Sequence, residues 1–205
     1  MARTNLSDDR DLTEEQRLFK ESINDWAERN LPLERVIKMN REGHPFPQDI
    51  VKGLADLGVI MGTVPEDQGG MGLTWKDQVV IADQIGYIDP SIATAAGLMA
   101  VETGWGFTIN RYANEVVREK YVKPAINGEK FIGIATTEPG GGSDVAGFES
   151  TAEKDGDEWV LNGEKTFISG IEECQEMGGG YWVNVRTGPK IEEAPHKNMT
   201  AFFVP

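Results

Sequence analysis

Near Glu129 the spacing of apolar residues changes from a helical period to an extended one, so the chain cannot fold as a uniform bundle or a uniform sheet. Upstream, Thr13-Glu14-Glu15-Gln16 reads as a helix start in which Thr13 caps and Gln16 reciprocates from the third helical position. Leu18, Phe19, Ile23 and Trp26 then recur at helical spacing. Pro32 interrupts that helix or starts the next, because it lacks the N–H that a helix interior uses. After Gly43-His44-Pro45-Phe46-Pro47, the residues Ile50, Val51, Leu54 and Leu57 make a second apolar stripe that Gly58 stops. Residues 64–73 carry Pro65 and the glycines 69, 70 and 72, and read as a loop that shapes a site. Residues 75–85 resume the helical spacing, Asp89-Pro90-Ser91 can open another helix, and 93–100 is a small-residue stretch suited to close packing. Residues 114–121 read as a last helix that ends before Pro124. A bundle of five or six helices over residues 1–128 is the expected N-terminal domain.

Beyond Glu129, strands are expected over 130–136, 150–154, 158–161, 165–169, 181–186 and 200–204. Asp155-Gly156 and Asn162-Gly163 favour tight hairpins, because both central positions of such turns want φ > 0. They predict an antiparallel meander, while Gly178-Gly179-Gly180 reads as a flexible connection. The fold expected is α+β and multidomain: an all-α helical bundle, then an antiparallel β-barrel-like domain over 129–205 that is incomplete at its C-terminus.

With 34 Asp and Glu against 20 Lys and Arg, the chain lacks the basic surface that nucleic-acid phosphates require. The one cysteine, Cys174, excludes an intrachain disulfide framework and points to a reducing compartment, with an inert thiol. Residues 1–16 have neither the apolar core of a signal peptide nor the basic character of a transit peptide. No run approaches the roughly 18 apolar residues of a membrane span, so a cytoplasmic protein is expected. His44 and His196 have no second ligand at metal spacing, and no metal site is expected. Glu172, Glu173, Glu192 and Glu193 read as a solvated face.

The segment most able to carry chemistry runs from Ala135 to Gly147, where a β-like run meets Gly140, Gly141 and Gly142. Without Cβ atoms, that backbone can approach a flat or charged ligand closely. The hydroxyls of Thr136, Thr137 and Ser143 and the free N–H groups can donate to ring carbonyls or phosphate oxygens. The alternative for three glycines alone is a surface turn between two strands.

Thr137-Glu138, Gly142-Ser143-Asp144 and Gly147 resemble, at its spacing, the first signature of the acyl-CoA dehydrogenase family. The resemblance extends through Pro45-Phe46-Pro47, Leu57-Gly58 and Val64-Pro65-Glu66-Asp67-Gln68-Gly69-Gly70-Met71-Gly72. Downstream it includes Asn162-Gly163-Glu164-Lys165-Thr166-Phe167-Ile168-Ser169. It implies FAD as cofactor, with Ile134, Ala135, Thr136, Thr137, Gly142 and Ser143 along the flavin and Thr136 and Thr137 at its pyrimidine edge. Ser143 would also touch the acyl-CoA substrate. Phe167, Ile168 and Ser169 match the second flavin segment, where the aromatic covers the ring and the hydroxyl reaches N5. Many members have Trp and Thr where this chain has Phe167 and Ser169, and both replacements keep a π face and a hydroxyl.

The resemblance further implies α,β-dehydrogenation of an acyl-CoA thioester to the 2-enoyl-CoA, with electrons passed to an electron-transfer flavoprotein by a homotetramer or dimer. Acyl-CoA oxidase is a close alternative, and the enoyl-CoA reductase direction stays open. The general base of the family lies in a C-terminal helical domain that these 205 residues do not include, and Glu138 is read as structural. Three expectations follow: the first half of a longer dehydrogenase, a half-size subunit completed by a partner, or a noncatalytic remnant. Residues 93–100 are expected at the floor of the acyl pocket, and His196 and Lys197 near the CoA moiety.

Overall fold

The computed structural model describes residues 11–44, 46–91, 93–94, 97 and 104–205. Most of the 93–100 stretch, Pro45 and the first ten residues lie outside them.

The helical part forms where the sequence supplies caps and apolar stripes. Helix α1 (Glu14–Asn30) opens on the expected capping box of Thr13 and Gln16. Ile23 and Trp26 are buried on its inner face, whereas Leu18, expected in the same stripe, is 55% exposed. Pro32 caps α2 (Leu33–Glu42), which ends on left-handed Gly43. Helix α3 (Gln48–Asp56) buries Ile50, Val51 and Leu54. Residues 64–73 form the expected loop around a short 3-10 turn, Glu66–Gln68. Helix α4 (Trp75–Ile88) starts on a second capping box, Thr74 with Asp77. Its Asp77 also accepts from Gln16 at 2.7 Å, which fastens α4 to α1.

Asp89 accepts from the N–H groups of Ser91 and Thr94, and most of the helix expected to open there lies outside the described residues. After α5 (Gly106–Tyr112), α6 (Glu115–Val117) runs through a π-helical turn, Arg118–Val122, into α7 (Lys123–Ile126). The helical path therefore does not end before Pro124. The proline sits in the first turn of α7, directly after the π-helical turn.

The β part is a five-stranded sheet built around β4 (Gly179–Arg186). Strand β5 (Met199–Val204) pairs antiparallel along one edge of β4, from Tyr181↔Val204 to Arg186↔Met199. Along the other edge lie first β1 (Phe131–Ala135), parallel from Phe131↔Gly179 to Ala135↔Val183, and then the start of β2, at Thr151↔Arg186. Strands β2 (Thr151–Asp155) and β3 (Glu158–Asn162) form the predicted hairpin, but its turn residues are Gly156 and Asp157 in place of Asp155 and Gly156, and only Gly156 has positive φ.

Three sheet expectations are corrected. The sheet is mixed and open, neither antiparallel throughout nor closed as a barrel. The chain leaves β1 by a long crossover through residues 136–178, and a crossover returns a strand parallel. That crossover contains α8 (Ile171–Met177), which sequence reading missed. Residues 165–169, expected as a strand, are irregular, so Asn162-Gly163 ends β3 without forming a second hairpin.

Gly178-Gly179-Gly180 is likewise no loose linker, since Gly179 and Gly180 begin β4 and are buried. A Cβ on Gly179 would lie 1.8 Å from the Phe131 carbonyl oxygen, and one on Gly180 would lie 2.6 Å from both the Phe203 ring and the Val204 carbonyl oxygen. The glycines are what allow three strands to meet there.

One apolar core spans the helices and the first strand: Phe131 and Ile132 belong to the same buried cluster as Ile50, Leu54 and Ile85. Phe46 stacks on Phe131 with centroids 5.8 Å apart, and Tyr121 meets Phe203 at 4.9 Å. Replacing Gly179 by Ala forces backbone apart at this junction and is expected to destabilise the fold by about 2 kcal/mol or more. Chemical denaturation measures this, and wild-type stability in G179A would contradict the packing described.

Candidate functional site

Strand β1 delivers the Gly-rich segment to the point where the edge of β4 changes partner. Between Ala135↔Val183 and Thr151↔Arg186 the ladder is interrupted, and its carbonyls need other donors. Lys165 supplies them. Its ammonium donates to the carbonyl of Thr136 at 3.1 Å, the carbonyl of Asn184 at 2.7 Å and the Glu138 carboxylate at 2.7 Å. It also lies 4.4 Å from the centroid of the Phe148 ring. The other Glu138 bonds come from the N–H groups of Glu149 at 2.7 Å and Ser150 at 3.1 Å.

Both members of this ion pair are buried, with side chains 10% and 8% exposed. Each therefore depends on the other and on the surrounding backbone for its polar partners. The structural reading of Glu138 agrees with this arrangement. Lys165 was missed as its partner, and Asn184 as a partner of Lys165 and Thr136. The available signal was a lysine inside an expected strand, where a long cation either snorkels or is paired.

The Lys165 anchor pulls residues 164–169 against the Gly-rich segment, and the N–H of Thr166 donates to the Thr137 carbonyl at 2.8 Å. The two segments singled out in the sequence are thus joined by backbone. Within the first, Glu138 and Gly141 exchange N–H···O bonds of 3.0 Å, and Asp144 caps the 3-10 turn Val145–Gly147. Gly142 folds back over Thr137, where an added Cβ would meet the threonine methyl at 3.3 Å.

Ala135 is buried, and Ile134, Thr136, Thr137 and Gly142 are half-buried. Thr136 accepts at its hydroxyl from the Asn184 side chain at 3.3 Å. Ser143 is exposed. In the second segment Phe167 stands 90% exposed with φ of 57°, an unusual conformation for an aromatic residue. Ile168 is half-buried, and exposed Ser169 uses its carbonyl to accept from the Tyr181 hydroxyl at 3.0 Å.

Two clefts adjoin these segments. One of about 450 Å³ is lined by Phe46, Ile168, Ser169, Gly170, Ile171 and Glu173, among others. A larger one of about 730 Å³ is lined by Gly140, Gly141, Asp144, Phe148, Ser150 and Lys190, among others, and none of the nine candidate residues borders it. Beside the smaller cleft, His44 lies 3.4 Å from the Glu172 carboxylate and 3.8 Å from that of Glu173. Glu173 is buried, which corrects its assignment to a solvated face. Burial pushes the Cys174 thiol up, away from reactive thiolate.

Burial alone would raise the Glu138 carboxyl, but the N–H of Glu149, the Lys165 ammonium and Ser150 outweigh it and lower it to about 2. With its folded value below the unfolded one of 4.5, Glu138 contributes stability above about pH 4.5 that is lost as pH falls towards 2. The contribution is about 3 kcal/mol. Glu138→Gln is expected to lower neutral-pH stability by about that amount, because it leaves Lys165 buried without its carboxylate. It should also flatten the acid limb of a stability-against-pH curve, and an unchanged acid limb would contradict the assignment.

Comparison with known proteins agrees with this architecture. Residues 13–129 match the sequence model for "Acyl-CoA dehydrogenase, N-terminal domain", and residues 133–205 match that for "Acyl-CoA dehydrogenase, middle domain". The mitochondrial isobutyryl-CoA dehydrogenase of Dictyostelium discoideum is 34% identical over 94% of this chain and 44% of its own length. A subunit of the caffeyl-CoA reductase-Etf complex of Acetobacterium woodii is 31% identical over 80% of this chain and 43% of its own. Among solved structures, a putative acyl-CoA dehydrogenase from Mycobacterium smegmatis superposes with a TM-score of 0.79 at 30% identity, covering 94% of this chain and 48% of that one. The chain spans less than half the length of these relatives. A helical domain feeding its last helix into a mixed sheet, with two signature segments joined across the break in that sheet, is accounted for by one conclusion: the chain belongs to the acyl-CoA dehydrogenase family.

Proposed function

We propose that residues 1–128 and 129–205 are the helical domain and the first part of the β domain of an FAD-dependent acyl-CoA dehydrogenase. The proposed reaction takes an acyl-CoA thioester to the 2-enoyl-CoA and passes electrons to an electron-transfer flavoprotein. The observation that carries this reading is the 2.8 Å bond from the Thr166 N–H to the Thr137 carbonyl, beside a Phe167 ring that is 90% exposed at φ 57°. An aromatic held outward in a sparsely populated conformation is suited to stack on a flat ligand.

The residues present fit such a group. Ile134, Ala135, Thr136, Thr137, Gly142 and Ser143 would hold the flavin from one side, and Phe167, Ile168 and Ser169 from the other. FAD would supply the redox chemistry. The chain's own part is to fix orientation and present hydroxyl and N–H donors, and Ser143, exposed at the loop's end, would also meet the thioester substrate. Glu138 is not the base that takes the α-proton, because its carboxylate is buried and already accepts from Lys165, Glu149 and Ser150. In this reading the base comes from outside residues 1–205, as the family resemblance implies, from further chain or from a partner subunit in a homo-oligomer or mixed complex. The Acetobacterium woodii relative, named as part of a reductase-Etf complex, supports electron exchange with an electron-transfer flavoprotein and favours a second reading in which the reaction runs towards reduction.

The intact protein, purified gently, is expected to carry a flavin absorbance band. Phe167→Ala is expected to weaken FAD binding by about three- to ten-fold, the worth of one aromatic stack, without lowering the melting temperature. Intact protein that takes up no FAD, or F167A with wild-type affinity, would contradict the reading.

A further inference from the structure

We propose that Arg186 is a positioning residue that fastens the 187–198 connection to the exit of the Gly-rich loop, so that one buried guanidinium sets both segments. Arg186 ends β4 and is only 5% exposed, yet no carboxylate pairs with it among the described residues. Its fork is turned to carbonyls of two different elements. Nε donates to the Phe148 carbonyl at 2.8 Å, and Nη2 donates to the Ala146 carbonyl and, at 3.4 Å, to that of Pro195. Nη1 is buried without a hydrogen-bond partner. Lys190, within the connection, donates to the carbonyl of Gly147 at 3.4 Å. Three successive carbonyls, those of Ala146, Gly147 and Phe148, thus accept hydrogen bonds from two cations at the end of β4 and in the connection.

A buried charge held only by carbonyls is an expensive way to fill space, and an apolar side chain of similar volume would pack at lower cost. What an apolar residue cannot do is bond both strands of chain at fixed spacing. A lysine here would bring one compact ammonium, without the planar fork that reaches both Phe148 and Pro195. The connection has few other means of fixing itself. Thr187 donates from its N–H to the Asn198 carbonyl at 2.8 Å, and the Asn198 side chain donates to the Pro189 carbonyl at 3.0 Å. The Ile191, Ala194 and His196 carbonyls accept from Ala194, Lys197 and Met199, and the Thr187 hydroxyl meets that of Thr200, but none of these bonds reaches the Gly-rich loop. Its side chains are exposed or half-buried throughout.

The consequence is coupling. Whatever orders residues 142–148 also orders 189–197, and the reverse, because the same guanidinium holds both. This consequence for ligands rests on the proposed flavin site, whereas the clamp itself does not.

The test is amide hydrogen exchange of the intact protein without ligand, comparing wild type with Arg186→Met and Arg186→Lys. In both variants exchange should rise together in 145–150 and 189–198 by about ten-fold, the scale of one lost charged hydrogen bond, with the β2–β3 hairpin unchanged. A rise in one segment only, a rise throughout the sheet, or wild-type behaviour in R186K would overturn the proposal. Should R186M fail to fold, R186K alone decides: a joint rise in both segments supports the clamp, and a rise in one or neither overturns it. Added FAD should slow exchange in 189–198 of the wild type and not of R186K. If the wild type binds no FAD, the cofactor reading fails while the unliganded exchange still decides the role of Arg186.

Discussion

The Lys165–Glu138 ion pair is the constraint on which the β part of this chain depends. A sheet in which one edge of β4 changes partner midway leaves carbonyls without ladder donors. Lys165 repairs that break with three bonds from a single ammonium. The same anchor draws residues 164–169 inward until Thr166 meets Thr137, so the repair of the sheet and the assembly of the candidate site are one event. Its cost is a charge pair withdrawn from water, which the backbone N–H groups of Glu149 and Ser150 and the Phe148 face help to offset.

The helices matter to this arrangement because they hold β1. Phe131 and Ile132 are sunk in the helical core, and Phe46 stacks on Phe131, so the strand that leads into the Gly-rich segment starts from a fixed base. Gly179 and Gly180 then let β4 come in against β1 and β5 at backbone distance. Rigid packing upstream and close strand contact downstream leave the loop at 136–148 little freedom except at its exposed tip.

The parts that were legible in the sequence are those whose physics is local. The capping box at Thr13, the stop at Gly58, the loop at 64–73 and the hairpin at Gly156 depend on residues a few positions apart. The missed parts are non-local. Parallel pairing of β1 with β4 is set by a crossover and not by the residues of either strand. Residues 165–169 have an extended pattern, yet tertiary bonding of Lys165 overrides it and leaves Phe167 with positive φ. Helix α8 is a short acid-rich segment, and Glu173 is buried where the α2–α3 turn brings His44 to within 3.8 Å of its carboxylate. The candidate residues were found through their chemical types in order, whereas Lys165, Asn184 and Arg186, which hold them, became visible only with the fold.

The central claim is that two signature segments, joined by the Thr166–Thr137 bond and anchored by Lys165, together form a flavin site. A crystal structure of the intact protein with FAD tests it most directly. The account predicts the ring system against Phe167, with Thr137 and Ser169 within hydrogen-bond reach of its polar edge. A flavin seated instead in the 730 Å³ cleft beside Asp144 and Lys190, away from Phe167, would contradict it.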